Sequence, residues 1–368
     1  MTLLSNKSPK GKIAVAMSGG IDSSLAAALL KKRRRDVIGI TFRMWPKEEC
    51  GTSSGRACCN LEAVTRARAV AGDLNIPYYV FDFSADFKRE VIDYFCEQYL
   101  KGLTPNPCVV CNEKIKFGLL LDKARTLGAE YIATGHYARL ARAKKGLRLM
   151  LETGKDKEKD QTYFLFSLSQ EQLKHTLFPL ADITKERARA MAKRLRLRTF
   201  NTVSSQDICF IQDRDYAGYI KKKTGVTIEK GDIVDGKGNV LGTHKGIPFY
   251  TIGQRRGLGI AYSEPLYVTA IDVKSNRIIV GTKKDVLKKS FIVGDLNWVA
   301  VEGIGGPINV KVKIRYNHKA SGAVVTPLSD GTVRVDFERE QEAPTPGQAA
   351  VFYDGRAVVG GGWIKEVV

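Results

Sequence analysis

The sequence lacks long apolar segments and the cysteine pattern of a secreted domain. No apolar run reaches the roughly 18 residues that a membrane-spanning helix needs, and Met1 to Lys12 contains no apolar core of a signal peptide. The seven cysteines are an odd number in a chain of 368 residues, which argues against a disulfide-bonded scaffold. We therefore expect a protein of the reducing cytoplasm, with no membrane contact.

Acidic residues are scarce relative to basic ones. The chain has 59 Lys and Arg but only 39 Asp and Glu, so its formal charge is +20. Such an excess predicts a polyanionic partner, nucleic acid before an anionic membrane, and simple solubility is the alternative. Basic residues are concentrated in Lys31 to Arg35, at the end of a predicted helix where cations also suit the helix dipole, and in Lys185 to Arg198. In the second stretch the apolar positions fit one helical face, which leaves a basic face for phosphates.

A glycine–serine stretch, Ser18 to Ser23 (SGGIDS), joins an apolar run typical of a buried parallel strand to a run of strong helix formers. Two glycines permit a tight turn, and the N–H groups at a helix start favour an anion. The spacing and the lysine of a Walker A loop are missing. The stretch instead resembles the pyrophosphate loop of the ATP-pyrophosphatase superfamily, whose members split ATP into AMP and pyrophosphate; an ordinary Gly/Ser turn is the alternative.

Strands and helices alternate over the first half of the chain, which predicts an α/β domain with a Rossmann-like parallel sheet. Further strands are predicted at Val37 to Phe42, Tyr78 to Phe83 and Tyr131 to Ala133, and Ser84 is predicted to cap a helix that ends near Leu100. Ligands bind beyond the carboxyl ends of such strands. The SGGIDS loop, Phe42 and Gly135 fall at such ends, so three segments should converge on one nucleotide site.

Beyond about residue 215, short strands and frequent glycine turns indicate all-β structure. We predict a catalytic domain at 1–214, a small β-rich linker domain at 215–285 and a C-terminal β-barrel at 286–368. A basic hairpin is expected from Arg139 to Leu151.

Cys108 and Cys111 form a C-x-x-C pair that leads into a predicted helix. A redox pair, half of a zinc site completed by Cys209 and scattered histidines, sulfur chemistry at the ATP site, and simple packing all compete. Packing is favoured for Cys96, which lies inside an amphipathic helix. Cys50, Cys58 and Cys59 have no assigned partner.

Seven motifs occur in one order from about Lys12 to the C-terminus. They are SGGIDS, Asn106-Pro107-x-x-x-Cys111-Asn112-x-x-Ile115-Lys116-Phe117, Ala133-Thr134-Gly135-His136-Tyr137, Lys159-Asp160-Gln161-x-Tyr163-Phe164-Leu165, Ile208-Cys209-Phe210-Ile211, Gly253-Gln254-Arg255-x-Gly257-Leu258-Gly259 and Pro346-Gly347-Gln348. Each is modest alone, but together they resemble the tRNA-specific 2-thiouridylase family.

The resemblance implies a role for each motif. It assigns the phosphates of ATP, with Mg²⁺, to Ala16, Met17, Ser18, Gly19, Gly20, Ile21, Asp22 and Ser23, and the nucleoside to Phe42 and Gly135. It makes Cys111 the nucleophile and Cys209 the carrier of a persulfide. It assigns tRNA contacts to Asn106, Pro107 and Cys108 at the target uridine, and to His136, Lys159, Asp160, Gln161, Arg315, Tyr316 and Gln348 elsewhere. For His136 a capping or packing role is the alternative, and Tyr316 could belong to the barrel core.

The implied reaction is 2-thiolation of the wobble uridine of tRNA. ATP adenylates the C2 carbonyl oxygen, sulfur from a donor protein or hydrosulfide replaces AMP, and the barrel holds the anticodon arm. Many family members have aspartate where this chain has Cys108. Cys108, Cys111 and Cys209 could therefore hold a 4Fe–4S cluster with one open iron, whereas the alternative is a persulfide relay that ends in a Cys111–Cys209 disulfide. The sequence leaves both open.

Two other function classes compete. One is a different enzyme with a pyrophosphatase loop, such as an amidotransferase-fed synthetase or a tRNA lysidine synthase, which needs no reactive cysteine pair. The other is a non-catalytic RNA-binding protein with a relic nucleotide fold, which the intact Ser18, Asp22 and Ser23 argue against.

Overall fold

A computed structural model describes residues 11–44, 61–142, 148–201, 208–211 and 215–368. Cys50, Cys58 and Cys59 lie outside these ranges. In the described ranges, no helix combines the length and apolar character needed to cross a bilayer.

The first half of the chain forms a parallel sheet. Its strands are β1 (Lys12–Ala16), β2 (Val37–Arg43), β3 (Tyr78–Asp82), β4 (Ala129–Ala133) and β7 (Thr176–Leu177). A hairpin of β5 (Ala138–Arg142) and β6 (Leu149–Thr153) lies between β4 and β7 in the chain and belongs to another sheet. The sheet order is β3-β2-β1-β4-β7, and every pairing in it is parallel. The order reverses at β1, which has β2 on one side and β4 on the other. Such a reversal opens a crevice at the carboxyl ends of β1 and β4. The predicted α/β fold is confirmed.

Helices lie between these strands in the chain and after them. They are α1 (Ile21–Lys32), α2 (Leu61–Asp73), α3 (Ser84–Phe87), α4 (Tyr94–Leu100), α5 (Pro107–Val110), α6 (Leu120–Thr126), α7 (Gln170–Lys174), α8 (Lys185–Arg194) and α9 (Tyr216–Thr224). The π-helical segments Lys88–Asp93 and Cys111–Leu119 make the ranges 84–100 and 107–126 continuous helices. Short 3₁₀ turns occupy Thr162–Phe164, Ile247–Phe249 and Lys283–Val286.

Two local predictions were wrong at helix ends. Ser84 does not cap its helix, because it is the first helical residue and its N–H and hydroxyl both donate to Asp82 Oδ1. α8 stops at Arg194 instead of reaching Arg198. Arg196 has φ of 52°, a left-handed conformation that a right-handed helix cannot include.

The rest of the chain is β-rich, as predicted. A four-stranded sheet contains β8 (Gly231–Asp235), β9 (Val240–His244), β10 (Tyr267–Asp272) and β11 (Arg277–Gly281), in the order β10-β11-β8-β9, over its own buried cluster. The last strands are β12 (Leu287–Trp298), β13 (Ile308–Lys313), β14 (Ser321–Pro327), β15 (Val333–Glu342), β16 (Ala349–Asp354) and β17 (Ala357–Val367). They form a closed six-stranded barrel, because β12 pairs with both β15 and β17.

The barrel packs against the domain of the parallel sheet, which was predicted to be catalytic. One cluster of buried side chains includes Phe95 and Phe117 from the first half and Val351 and Val358 from the barrel. The buried Tyr163 donates its hydroxyl to the carbonyl of Ala349, at 3.0 Å. The β5–β6 hairpin, predicted as a basic hairpin, extends the sheet at β17. The barrel therefore lies beside the strand ends that carry the predicted site.

Candidate active site

The SGGIDS loop lies between β1 and α1, where its glycines have specific backbone roles. Gly19 has φ of +70°, and a Cβ there would lie 2.3 Å from the carbonyl oxygen of Ala63, so only glycine fits. The Ser23 hydroxyl accepts from the N–H of Ser18 at 3.2 Å and donates to the carbonyl of Gly20 at 3.1 Å, which closes the loop. No side chain of the described residues caps the start of α1. Its first N–H groups are therefore available to an anion.

Three of the predicted ATP-binding residues can offer only main-chain groups. Met17 and Ile21 bury their side chains in the core, and Ala16 has no polar group in its side chain. Their side chains fix the backbone of the loop. The hydroxyls of Ser18 and Ser23 and the carboxylate of Asp22 are the polar side-chain groups of the loop.

The other two predicted nucleotide contacts lie at the same sheet edge. Gly135 follows β4, and a Cβ on it would lie 2.7 Å from Ser23 N and from the carbonyl carbon of Asp22. Any side chain there would push the two segments apart. Phe42 is buried at the end of β2, with its ring 5.9 Å from that of Phe83. Only its backbone faces the edge, so the structure brings the three segments together but places the Phe42 ring in the core.

Asp22 is held by two side chains that lie far away in the sequence. Lys185 Nζ donates to Asp22 Oδ2 at 2.5 Å, and the Tyr137 hydroxyl donates to Oδ1 at 2.8 Å. Lys185 is 8% exposed and Tyr137 is 3% exposed, so both donors are largely shielded from water, whereas the Asp22 side chain is partly exposed. Burial, and then the charge of Asp22, raises the pKa of Tyr137. Tyr137 therefore remains a neutral donor to the carboxylate.

Sequence reasoning missed the roles of Lys185 and Tyr137. Tyr137 appeared only as the last residue of the motif at His136, and Lys185 only as one of many cations on a helix predicted to face phosphates. The signal available was the position of Lys185 as the first residue of α8, after the N-cap Thr184. Its partner could not be found without the fold.

The cysteine pair lies at the start of the 107–126 helix. Asn106 is the N-cap, its side chain accepts from Val109 N at 3.4 Å, and Pro107 occupies the first helical position. Cys108 is partly exposed, whereas Cys111 is 7% exposed and belongs to the cluster shared with the barrel. Asn106, Pro107 and Cys108, which the family resemblance assigns to the target uridine, thus lie together at the start of one helix.

The segment that carries Cys209 packs on the 84–100 helix. Its neighbour Phe210 has its ring 5.9 Å from that of Phe87 and 5.1 Å from that of Phe95, both at edge-on angles. α5 contacts the π-helical part of the same helix. The 84–100 helix therefore holds both cysteine segments on one side of the catalytic domain.

The three predicted cluster ligands do not form a preformed metal site. In the part of the chain that the structure describes, no group of three or more His, Cys, Asp and Glu side chains could hold a metal ion. The assignment of Cys108, Cys111 and Cys209 to an iron–sulfur cluster stays a prediction. Cys96 has its pKa raised to about 11, chiefly by burial, and is 3% exposed. Its predicted packing role is confirmed.

His136 lies between the nucleotide loop and the cysteine helix. Its Nδ1 is 2.8 Å from the Thr134 hydroxyl, and its ring is 5.9 Å from Phe117 and 6.3 Å from Phe178. Burial, with the charge of Lys116 as a second cause, holds the pKa of His136 well below its ordinary value. The imidazole is therefore neutral at physiological pH and packs between two aromatic rings.

A polar cleft separates the 157–160 loop from the barrel. Lys159 is exposed, whereas Asp160 is 8% exposed and accepts from the Thr162 hydroxyl at 2.7 Å. Tyr316 lies across the cleft, and Lys313 places its ammonium 5.1 Å from the centre of the Tyr316 ring. The cleft encloses about 330 Å³. Lys313, which was not predicted, is thus part of a cationic and aromatic lining.

Burial shifts the pKa values of Asp160 and Lys313, two residues that line the cleft, in opposite directions. Burial raises the pKa of Asp160 and lowers that of Lys313, while their mutual attraction opposes the shift of Lys313. Tyr316 packs against Phe164 with ring centres 4.5 Å apart and the rings tilted by 34°, so its ring belongs to both the cleft and the packed interface. Gln161 accepts from the N–H of Tyr137 at 3.0 Å, which links this loop to the residue that binds Asp22.

Arg315 and Gln348 make contacts within the protein. Arg315 donates to the carbonyl of Glu342 at 2.7 Å. Gln348 Nε2 donates to the carbonyls of Thr104 at 3.0 Å and Pro105 at 3.4 Å, the two residues before Asn106. Gln348 therefore joins the barrel to the segment that presents the cysteine pair. The tRNA contacts assigned to both residues stay predictions.

Family models match three consecutive ranges of the chain. Residues 11–213 match a model described as the tRNA methyl transferase HUP domain. Residues 218–282 match a PRC-barrel domain of the same series, and residues 288–364 match an aminomethyltransferase β-barrel domain. The first match covers more than half of the chain.

Similar curated proteins span nearly the full length. The tRNA-specific 2-thiouridylase MnmA of Acetivibrio thermocellus is 48% identical over 97% of this chain and 99% of its own. The protein of the same name from Moorella thermoacetica is 49% identical over 96% and 99%, and that of Clostridioides difficile 46% over 96% and 98%. Among solved structures, an NH3-dependent NAD synthetase from Campylobacter jejuni has 19% identity and a TM-score of 0.32, covering 52% of this chain and 67% of that one.

Proposed function

The chain belongs to the tRNA-specific 2-thiouridylase family, and from this premise we propose how its residues carry out ATP-dependent 2-thiolation of the wobble uridine. The enzyme is a tRNA-uridine 2-sulfurtransferase. The assignment of roles depends on one chain of contacts. Gly135 packs on the SGGIDS loop, and the ring of its neighbour His136 lies against Phe117, which belongs to the helix of Cys111.

The first step activates the uridine. The C2 carbonyl oxygen attacks the α-phosphorus of ATP, the bond to the β-phosphate breaks, and pyrophosphate leaves. The uncapped N–H groups of α1 and the hydroxyls of Ser18 and Ser23 would bind this anion as its charge develops. One carboxylate and two hydroxyls beside phosphate oxygens fit Mg²⁺, and Asp22 would hold it, where it would offset phosphate charge.

The second step replaces AMP with sulfur. The terminal sulfur of a Cys209 persulfide attacks C2 and displaces AMP. The Cys111 thiolate then attacks Sγ of Cys209, which breaks the persulfide S–S bond, leaves sulfur on C2 and forms a Cys111–Cys209 disulfide. A dithiol reductant restores both thiols, and a donor protein in the cytoplasm then reloads Cys209 by transferring the outer sulfur of its own persulfide to the Cys209 thiolate. Hydrosulfide would instead attack Cys209 Sγ in the Cys111–Cys209 disulfide, which forms the Cys209 persulfide and releases the Cys111 thiolate. The common support of both segments by the 84–100 helix supports this relay.

Of the two routes for sulfur, the persulfide relay is the one proposed, because no three or more His, Cys, Asp and Glu side chains among the described residues are grouped as ligands of a metal ion. Anaerobically purified protein is expected to be colourless, with no bound iron or sulfide, and active. A stoichiometric cluster whose removal abolishes thiolation would contradict the relay and restore Cys108, Cys111 and Cys209 as its ligands.

The tRNA is bound across the catalytic domain and the barrel. The target uridine lies against Asn106, Pro107 and Cys108, and the anticodon arm contacts the barrel. The cationic and aromatic lining of the cleft at Asp160 and Tyr316 supports this arrangement, because such surfaces bind phosphates and unstacked bases. His136, Lys159, Gln161, Arg315 and Gln348 complete the proposed contacts.

The test is detection of 2-thiouridine in tRNA after incubation with ATP and a sulfur donor. Cys111→Ser and Cys209→Ser should abolish thiolation but keep RNA-dependent pyrophosphate release, because adenylation needs no thiol. Cys96→Ala, which changes a buried packing cysteine, is the matched control and should stay active. No sulfur at the wobble uridine with the unmodified enzyme would refute the function, and full activity of both serine variants would favour a different pyrophosphatase-loop enzyme.

A further inference from the structure

The two basic stretches of the sequence meet at one end of the catalytic domain. α1 and α8 begin side by side, where Lys185 contacts Asp22, and their buried faces share one cluster. Their far ends reach the same turn after α2: Lys31 Nζ donates to the carbonyl of Asn75 at 3.1 Å, and Arg198 donates to both oxygens of Asp73 at 2.8 and 3.1 Å. The two helices therefore run in parallel and end together.

These ends form a surface that we name the distal basic cluster. It consists of Lys31, Lys32, Arg33, Arg34, Arg35, Lys193, Arg194, Arg196 and Arg198, of which all but the half-buried Arg35 are exposed. Among the described residues, only Arg198 of this set forms an ion pair with a carboxylate. Helix dipoles account for cations in the last turns. They do not account for Arg34, Arg35, Arg196 and Arg198, which lie beyond the helix ends and repel their neighbours.

The cluster is remote from the nucleotide loop. α1 has 12 residues, so its far end lies roughly 18 Å from Asp22 at a rise of about 1.5 Å per residue. The loop lies at the carboxyl ends of the strands, whereas the end of α1 leads into the start of β2 at the opposite edge. A ligand that contacts both places must be long.

We propose that the distal basic cluster binds the phosphate backbone of the tRNA body outside the anticodon arm. The inference rests on the proposed function, which places the target uridine at the loop. Six of the nine cations are arginines, whose planar guanidinium groups bind phosphate in a bidentate manner. A tRNA is a polyanion long enough to reach from the active site to the opposite edge of the sheet.

The surface favours RNA over an acidic protein. Protein interfaces are built around an apolar, fully buried centre. Among the described residues, Phe200, 41% exposed, is the only large apolar side chain within two residues of a cluster member that is more than partly exposed, and it follows the last cluster member in the chain. A surface made almost entirely of basic side chains is instead typical of sites that contact phosphates, and such contacts do not depend on the base sequence.

A quadruple variant tests the proposal. Lys32, Arg33, Lys193 and Arg194 are replaced by Gln, which has a similar helix propensity, and Arg34 and Arg196 are kept because of their left-handed backbone. We expect the KM for full-length tRNA to rise about tenfold with kcat unchanged. The slope of log KM against log salt concentration should fall by roughly 3, as expected for about four lost phosphate contacts. The KM for an isolated anticodon stem-loop should not change.

A matched control removes the same charge elsewhere. Lys221, Lys222, Lys230 and Lys237, all exposed in the β-rich domain between the catalytic domain and the barrel, are replaced by Gln. An equal rise of KM in both variants would show that only net charge matters and would overturn the proposal. An unchanged KM for full-length tRNA would also overturn it, and so would an equal rise of KM for the stem-loop. A third contradicting result is a loss of thiolation that occurs with a protein sulfur donor but not with inorganic sulfide. Thiolation by the unmodified enzyme is measured first, so failure of the function itself is recognised separately.

Discussion

At the scale of single residues, Asp22 determines how the nucleotide loop meets the rest of the domain. Its partly exposed carboxylate accepts hydrogen bonds from the buried Lys185 and Tyr137, and the bond from Lys185 is charge-assisted and therefore strong. This arrangement orients the loop before ATP arrives. It also joins the start of α8 to the segment after β4, so three distant parts of the sequence depend on one side chain.

Lys185→Met should weaken this arrangement without emptying the space that the side chain fills. Loss of a largely buried ammonium from a carboxylate costs about 1.5–3 kcal/mol, so we expect thiolation at limiting ATP to fall by roughly 10- to 100-fold. Lys185→Arg should recover part of the rate. Lys174→Met, at an exposed position of α7, is the control. Steady-state kinetics with varied ATP measure the effect, and an unchanged kcat/KM for ATP would contradict a positioning role.

The lowered pKa of His136 makes the free energy of unfolding depend on pH. Its pKa is lowered in the folded protein, so the folded state disfavours the charged form. Below the unfolded value of about 6.5 the unfolded chain binds an extra proton, and stability falls by up to about 1.4 kcal/mol per pH unit. Urea unfolding at pH 7.5 and 5.5 should show a smaller loss for His136→Gln than for the unmodified protein. Equal losses would mean that His136 is not the responsible group.

At the scale of elements, the 84–100 helix organises the sulfur chemistry. Sequence patterns predicted the helix but not its π-helical turn or the two cysteine segments that it supports. Phe210 is the contact that holds the second of them, since its ring lies against Phe87, Phe95 and Tyr219. The position of Cys209 therefore depends on a neighbouring apolar side chain.

Phe210→Ala should separate sulfur transfer from adenylation. Removal of a buried phenyl ring costs about 3–5 kcal/mol and loosens the segment that carries Cys209. We expect a lower midpoint in chemical unfolding and a loss of thiolation larger than the loss of RNA-dependent pyrophosphate release. Phe210→Leu, which keeps most of the volume, is the control. A parallel loss of both activities would indicate that the segment supports the whole domain equally.

At the scale of the whole molecule, the catalytic domain and the barrel share one buried cluster. Tyr163, Asn297 and Gln348 add hydrogen bonds across the contact, to Ala349, Phe166 and Thr104. The β-rich sheet between them has its own cluster around Ile233, Val268 and Ile278. The first and third parts are therefore expected to unfold together.

Truncation after residue 285 tests this coupling. It would expose Tyr163 and other apolar residues that the barrel covers, so the shortened chain should melt at a lower temperature and bind a hydrophobic dye. Scanning calorimetry of the full chain should show one transition for catalytic domain and barrel. A truncated chain with an unchanged melting temperature would show that the barrel contributes no stability to its neighbour.

Much of the fold follows from local patterns. Alternating strands and helices, glycine turns and the SGGIDS joint each depend on residues close together in the sequence, so the parallel sheet, the β-rich parts and the convergence of three strand ends could be predicted. The ends of helices were harder to predict from the sequence. α8 ends at Arg194, two residues before Arg196 adopts a left-handed conformation. An arginine in the sequence does not predict that conformation.

The partners of the site residues were decided by the tertiary structure. Asp22 and Lys185 are 163 positions apart, and Gln348 and Thr104 are 244 apart, so no local pattern relates them. The sequence by itself determined the phosphate loop, the cysteines and the basic excess, because those depend on residue types and short spacings. Only the packing of α1 against α8 joined two separate basic stretches into one surface, since parallel helices that start at the same ion pair must also end together.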